Sequence, residues 1–278
     1  MKVAHLILAH AQPLQLARLI NSLQHPEADF YIHLDQKADI APFLEAVQGK
    51  NVFFVKQRVK VRWGAYSMVQ ATLNGFEDIL ASGVAYQYVN LLSGQDYPLQ
   101  KPTKIHSFLD ANYPKQYMEF FSVEKEWKEA IPRLTRYHLV NFDIPLKFKI
   151  EEWINKILPD RKMPNHWVAV GRSQWFTITL DAVRYIVDHL KKNPQLVRFF
   201  KLTWGVDELI FQTVLYNSAL KPSMVNENLR YIDWSEGKSS PKTLTIEDKT
   251  TLSDCGKFFA RKFNSEVDEG ILNHLDSI

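Results

Sequence analysis

Asp29-Phe-Tyr-Ile-His-Leu-Asp35 decides the fold. It is a β-rich run ending in a polar, acidic tip, and its flanks fix how it is used. Upstream, Val3-Ala-His-Leu-Ile-Leu-Ala9 reads as a first buried strand, and Pro13 opens a helix whose apolar face is Leu14, Leu16, Leu19, Ile20 and Leu23. Downstream come a helical pattern from Ile40 to Val47 and a short strand from Val52 to Val55. The order β-α-β-α-β predicts an α/β fold with a mainly parallel central sheet flanked by helices, right-handed crossovers and ligands at the C-terminal strand ends. His10, Asp35 and the segment after Val55 should then face one crevice. His33 alternates with Asp35 along the strand, either facing that crevice or packed as a structural residue. No Gly-rich dinucleotide fingerprint follows the first strand and no Walker-type loop is present, so NAD and P-loop chemistry lose their main support.

With 278 residues, 46% of them hydrophobic, the chain can bury a substantial core. The expected organisation is a single domain over 1–278, with a nucleotide-binding half to about 112 and an acceptor and catalytic half from about 113. A net charge of +3 is too weak to point to nucleic acid. The lone Cys255 excludes an intrachain disulfide framework or a cysteine-rich zinc site and fits a reducing compartment. No apolar stretch approaches the roughly 18 residues of a membrane span, so the expectation is a soluble chain, at most peripheral to a membrane.

Further along, Trp63 and Gly64 precede a helix from about Ser67 to Ile79, and Trp63 or Tyr66 could stack on a ligand ring. Tyr86 to Leu92 reads as a strand, which puts Asp96 in a turn at its site-bearing end. From 115 to 164 the pattern is irregular and rich in aromatics and charge, read either as an insertion lining the acceptor side of a cleft or as a solvated helical layer. Val168 to Thr179 reads as a strand carrying Ser173, Gln174 and Trp175, with Asp181 capping the helix Ala182 to Leu190. Asp207 and Glu208 stand before a buried helix, where either one faces a cleft or both serve the helix N-terminus. Arg261 and Lys262 sit among Phe258, Phe259 and Phe263, a setting that calls for an anion.

The ordered set Ile32-His-Leu-Asp35, Trp63-Gly64, Gly94-Gln-Asp-Tyr-Pro98, Ser173-Gln-Trp-Phe176, Val206-Asp-Glu208, Asp233-Trp234, Ser240-Pro241 and Phe259-Ala-Arg-Lys-Phe263 resembles the core-2/I-branching β-1,6-N-acetylglucosaminyltransferase and peptide O-xylosyltransferase family, glycosyltransferase family 14. The resemblance runs from Val3 to Phe263. It implies a GT-A-like, Rossmann-like fold that takes a UDP-sugar, inverts the anomeric carbon and needs no metal or other cofactor. The sequence agrees in lacking an Asp-x-Asp element after a strand.

Carried over residue by residue, the resemblance makes Glu208 the catalytic base, which leaves Asp207 as the residue expected to cap the helix. It gives Ala9, Asp35, Trp63, Gly64, Gln174, Trp175, Ser240, Lys242, Arg261 and Lys262 to the UDP-sugar, and Glu119 and Trp234 to the acceptor. Lys242 departs from the family pattern, since the branching enzymes carry an arginine there. A Glu base, cations that stabilise departing UDP and aromatic rings that exclude water would together suffice for inverting transfer. UDP-N-acetylglucosamine is the first choice of donor and UDP-xylose the alternative. The acceptor is expected to be a glycan, a polysaccharide or a lipid-linked oligosaccharide, and the location cytoplasmic, the inner membrane face included. Competing readings are a paired-carboxylate hydrolase using Glu119, Asp96 or Asp207, and an inactive carbohydrate-binding protein on the same fold.

Overall fold

The computed structural model describes residues 1–277. Ten strands form two sheets. β1 (Val3–Ala9), β2 (Ala28–Leu34), β3 (Val52–Phe54), β4 (Tyr88–Ser93), β6 (Gln116–Ser122), β7 (Val170–Thr179) and β8 (Met224–Asn226) make a seven-stranded sheet in the order β3-β2-β1-β4-β7-β6-β8, while β5 (Asp96–Pro98), β9 (Arg230–Ile232) and β10 (Phe259–Arg261) make a second in the order β5-β10-β9. β3, β2, β1 and β4 pair in parallel, as the alternating sequence pattern requires, and β7 then runs antiparallel to both β4 and β6.

β1 shows why these strands are largely apolar, interrupted only by single buried polar residues such as His5. Ala4, Leu6 and Leu8 pack on one face with Phe76, Phe176 and Phe211. Val3, Ile7 and Ala9 pack on the other with Leu16, Phe30 and Tyr88. A strand covered on both faces has no polar side to show.

Two expectations change. The segment from 115 is not an insertion throughout, because its first residues are β6, an interior strand between β7 and β8. The helix after β7 spans Leu180–Lys192, and Thr179, not Asp181, caps it by accepting from the Ala182 amide. A threonine in extended backbone at the strand end holds its hydroxyl over the first free N–H groups, whereas Asp181 already lies inside the first turn.

The second sheet is tied to the first by one buried arginine. Arg230 of β9 donates to the carbonyls of Leu91 in β4 and Phe176 in β7, each at 2.9 Å, and to Thr177 Oγ1 at 3.1 Å. Its burial lowers its pKa to about 9. Register then places Arg261 of β10 directly opposite Asp96 of β5.

Candidate active site

The C-terminal ends of β1, β2 and β4 open into a cleft of about 800 Å³, within the size range of small-ligand sites. Ala9, His10, Asp35 and Ser93 line that side, while Ser173 to Trp175 of β7, the Asp207–Glu208 turn and Arg261 with Lys262 line the others.

Glu208 is positioned by close backbone packing. The 3-10 turn Val206–Glu208 lies so tightly on β7 that a Cβ on Gly171 would stand 2.0 Å from the Glu208 carbonyl oxygen. Gly205 enters the turn at φ 63°, and its amide donates to the Gly64 carbonyl at 2.8 Å. Arg133 Nη1 then donates to Glu208 Oε2 at 2.6 Å. The guanidinium lies 4.8 Å from the Trp127 ring centroid and 4.5 Å from that of Trp204, so its plane is held by aromatic faces.

Asp207 does not cap the helix. That helix, Ile210–Tyr216, starts from Leu209 with no side-chain cap, and the Asp207 carboxyl is buried at the cleft wall. Its Oδ1 has no hydrogen-bond partner among the described residues. Burial, reinforced by the Glu208 charge beside it, pushes its pKa up to about 7.

The cationic wall comes from the second sheet. Arg261 Nε lies 3.1 Å from Asp96 Oδ1, an ion pair without hydrogen-bond alignment, and the guanidinium is 4.4 Å from the Trp175 ring centroid. Asp96 also accepts from the Ser93 amide at 3.0 Å. It is fully buried behind Arg261 and so does not face the cleft as a strand-end carboxylate would. Burial raises the Asp96 pKa, opposed chiefly by Arg261. Lys262 Nζ reaches Ser240 Oγ at 3.5 Å and has no acidic partner among the described residues.

Most residues singled out from the sequence meet here: Ala9, Asp35, Trp63, Glu119, Gln174, Trp175, Glu208, Trp234, Ser240, Arg261 and Lys262 all line the cleft. Gly64 does not. It packs on Trp204, whose Nε1 would lie 2.7 Å from an added Cβ. Lys242 is also outside the lining, because Asp248 holds its ammonium at 2.7 Å. Tyr66 is buried in the core, which leaves Trp63 as the exposed ring at the rim. His33 lines the floor but accepts from the Val59 amide at 3.2 Å, and burial lowers its pKa to about 4. Asp35 Oδ1 accepts from the Lys37 amide at 2.9 Å.

At the far end, β6 shifts register between Met118 and Phe120. The irregularity falls at Glu119, which lines the cleft and accepts from Asn228 Nδ2 at 3.3 Å. Burial raises its pKa, with Arg172 as the main opposing charge. Sequence reasoning gave no role to Arg172, Asn228 or Lys257, and placed Arg133 only within a segment read as lining the cleft or as a solvated layer, without its carboxylate partner; all four line the cleft. Arg133 depends on rings at 127 and 204, and nothing local in the sequence connects those positions.

The family model described as Core-2/I-Branching enzyme matches residues 3–255, stopping short of Arg261 and Lys262. Xylosyltransferase 2 of Homo sapiens is 28% identical over 99% of this chain and 33% of its own length. The xylosyltransferase of Ciona intestinalis is 23% identical over 99% of this chain and 34% of its own. The chain thus spans about a third of the length of the curated relatives it matches. Among solved structures, apo mouse xyloside xylosyltransferase 1 aligns with a TM-score of 0.46 at 12% identity, covering 94% of this chain and 97% of that one.

Proposed function

The chain belongs to the Core-2/I-branching enzyme family, and on that premise we propose that it is an inverting, metal-independent glycosyltransferase that moves a sugar from a UDP-sugar to a hydroxyl of a glycan, polysaccharide or lipid-linked oligosaccharide. The observation that carries this reading is the convergence in one cleft of a clamped carboxylate, Glu208, with the cations Arg261 and Lys262. Of the two donors, UDP-xylose now stands ahead of UDP-N-acetylglucosamine, because the relatives at 28% identity are named xylosyltransferases. This reverses the order taken from the sequence.

In the proposed reaction the acceptor oxygen attacks the anomeric carbon from the face opposite UDP. Its proton passes to a Glu208 carboxylate oxygen as the carbon–oxygen bond to UDP breaks. The leaving diphosphate takes the bonding electrons, and Arg261 and Lys262 face its charge. Arg261 is fixed before substrate arrives by Asp96 and Trp175, so little reorganisation is needed as that charge develops. Arg133 fixes the rotamer of Glu208. Strands to about residue 112 would hold the uridine, with Asp35 in its pocket, and the chain from about 113 would hold the acceptor against Glu119 and Trp234.

The test is UDP release from UDP-xylose and UDP-N-acetylglucosamine, each with and without an oligosaccharide acceptor and with and without EDTA. The expected result is acceptor-dependent release, faster from UDP-xylose and unchanged by EDTA. No acceptor-dependent release from any UDP-sugar would overturn the transferase reading. Loss in EDTA would overturn metal independence alone, and faster release from UDP-N-acetylglucosamine would restore the other donor.

A further inference from the structure

The helix Lys147–Ile157 is mounted the wrong way round for a core helix, with no residue of its own buried. The face it turns to the protein is held by polar side chains. Glu151 accepts from the Leu139 amide at 2.8 Å, and Asn155 both accepts from the Tyr137 amide at 2.8 Å and donates to the Tyr137 carbonyl at 2.9 Å. Ile150, Trp153 and Ile157 recur at helical spacing on another face. That stripe points to solvent, with Trp153 64% and Ile157 58% exposed. Leu146, in the turn leading into the helix, is 69% exposed, and Phe148, in the first helical turn on the side away from the stripe, is 76% exposed. Such side chains ordinarily gain stability from burial, and the fold forgoes that gain here.

We propose that this helix and its leading turn form a docking surface for an anionic lipid bilayer, on which the enzyme lies as a peripheral protein. At 100° per residue Lys147 and Lys149 flank the stripe of Ile150, Trp153 and Ile157, one on each side. The Lys147 ammonium stands 5.3 Å from the Phe148 ring centroid, the arrangement in which a long stem lies along apolar surface while its head stays in the polar layer. The nearby acids are largely occupied. Glu152 pairs with Lys156 at 2.7 Å, Asp143 with Arg62 at 2.5 Å, and Glu151 is turned inward. Lys147 and Lys149 therefore present net positive charge beside the apolar stripe, matching anionic headgroups. Among the described residues no helix is long and apolar enough to cross a membrane.

Position makes the surface useful. The segment starts at the cleft rim, where the Asn141 side chain accepts from the Tyr66 amide at 2.7 Å and Asp143 holds Arg62, the neighbour of the rim residue Trp63. An enzyme seated this way brings its cleft close to the headgroups, where an acceptor carried on lipid would be presented.

The experiment is flotation of the full chain with vesicles of mixed phosphatidylglycerol and phosphatidylcholine, and with vesicles of phosphatidylcholine alone. Binding is read without turnover, so it stands or falls separately from the transferase reading. The expected result is binding to the anionic vesicles that falls with added salt. Phe148→Ser with Trp153→Ser should lower it more than about tenfold, and neutralising Lys147 and Lys149 to Gln by roughly fivefold per lysine. Both variants alter exposed positions, so an unchanged melting temperature should accompany the loss. Absence of binding by the unaltered chain, equal binding to both vesicles, or variants that bind as it does would overturn the proposal. So would a concentration-dependent dimer that the Phe148 and Trp153 changes dissolve, since a second copy would then cover the stripe.

Discussion

The two ion pairs that frame the cleft, Glu208 with Arg133 and Asp96 with Arg261, are built on opposite terms. Glu208 and Arg133 keep 31% and 20% of their side chains exposed, while Asp96 keeps none. The first pair is held by rings and by glycine-permitted backbone contacts, so the carboxylate is oriented yet open to a substrate hydroxyl. The second is held by sheet register and burial, so Arg261 cannot drift. A base must exchange a proton and therefore needs access, whereas an electrostatic stabiliser works best when it cannot reorganise. In the proposed reaction, similar charge pairs would thus serve through different degrees of freedom.

The largest effect should come from removing the accessible carboxylate. Glu208→Gln is expected to lower turnover by about 10²–10⁴-fold while UDP affinity, measured by calorimetry, stays unchanged. Retained turnover would remove the base from this wall and dissolve the comparison.

The second test sets the pairs against each other by urea unfolding. Asp96→Asn leaves a buried arginine without its counter-charge and should cost about 3–5 kcal/mol. Arg133→Met removes a half-exposed pair and its ring contacts and should cost only about 1–2 kcal/mol. The reverse ranking would show that the Arg133 pair, not the Arg261 pair, is the structural one.

The third sharpens the contrast at Asp207, which shares the accessible turn but is buried. Its folded pKa of about 7 lies above the unfolded carboxyl value of roughly 3.9, so the folded state binds the proton more tightly. Its contribution to stability is therefore complete below the unfolded value and is lost as pH rises through the folded one. Between pH 4 and 8 this should remove roughly 2–4 kcal/mol of stability, a loss absent in Asp207→Asn. Parallel pH profiles of the two proteins would show that Asp207 is ionised throughout.

What the sequence disclosed follows from periodicity. β1 and β2 were legible because strands buried on both faces are largely apolar, and the meeting of Glu208, Arg261 and Lys262 at one cleft because ordered motifs accompany them. β6 was hidden, since the register shift near Glu119 breaks its alternation. The capping role expected of Asp207 failed because a 3-10 turn intervenes before the helix and turns that carboxyl to the cleft wall. Lys242 was placed by motif position alone, which carries no information about the competing Asp248. The pairing of Arg133 with Glu208 was illegible because Glu208 and Trp204 are remote from it in sequence.

The pairing of β10 with β5 has one more consequence. Asp96–Pro98 and its partner Phe259–Arg261 lie far apart in the sequence. Such a long-range pairing is slow to form. Until that pairing forms, Arg261 is not held opposite Asp96, so the two charge pairs that frame the cleft are completed at different stages of folding.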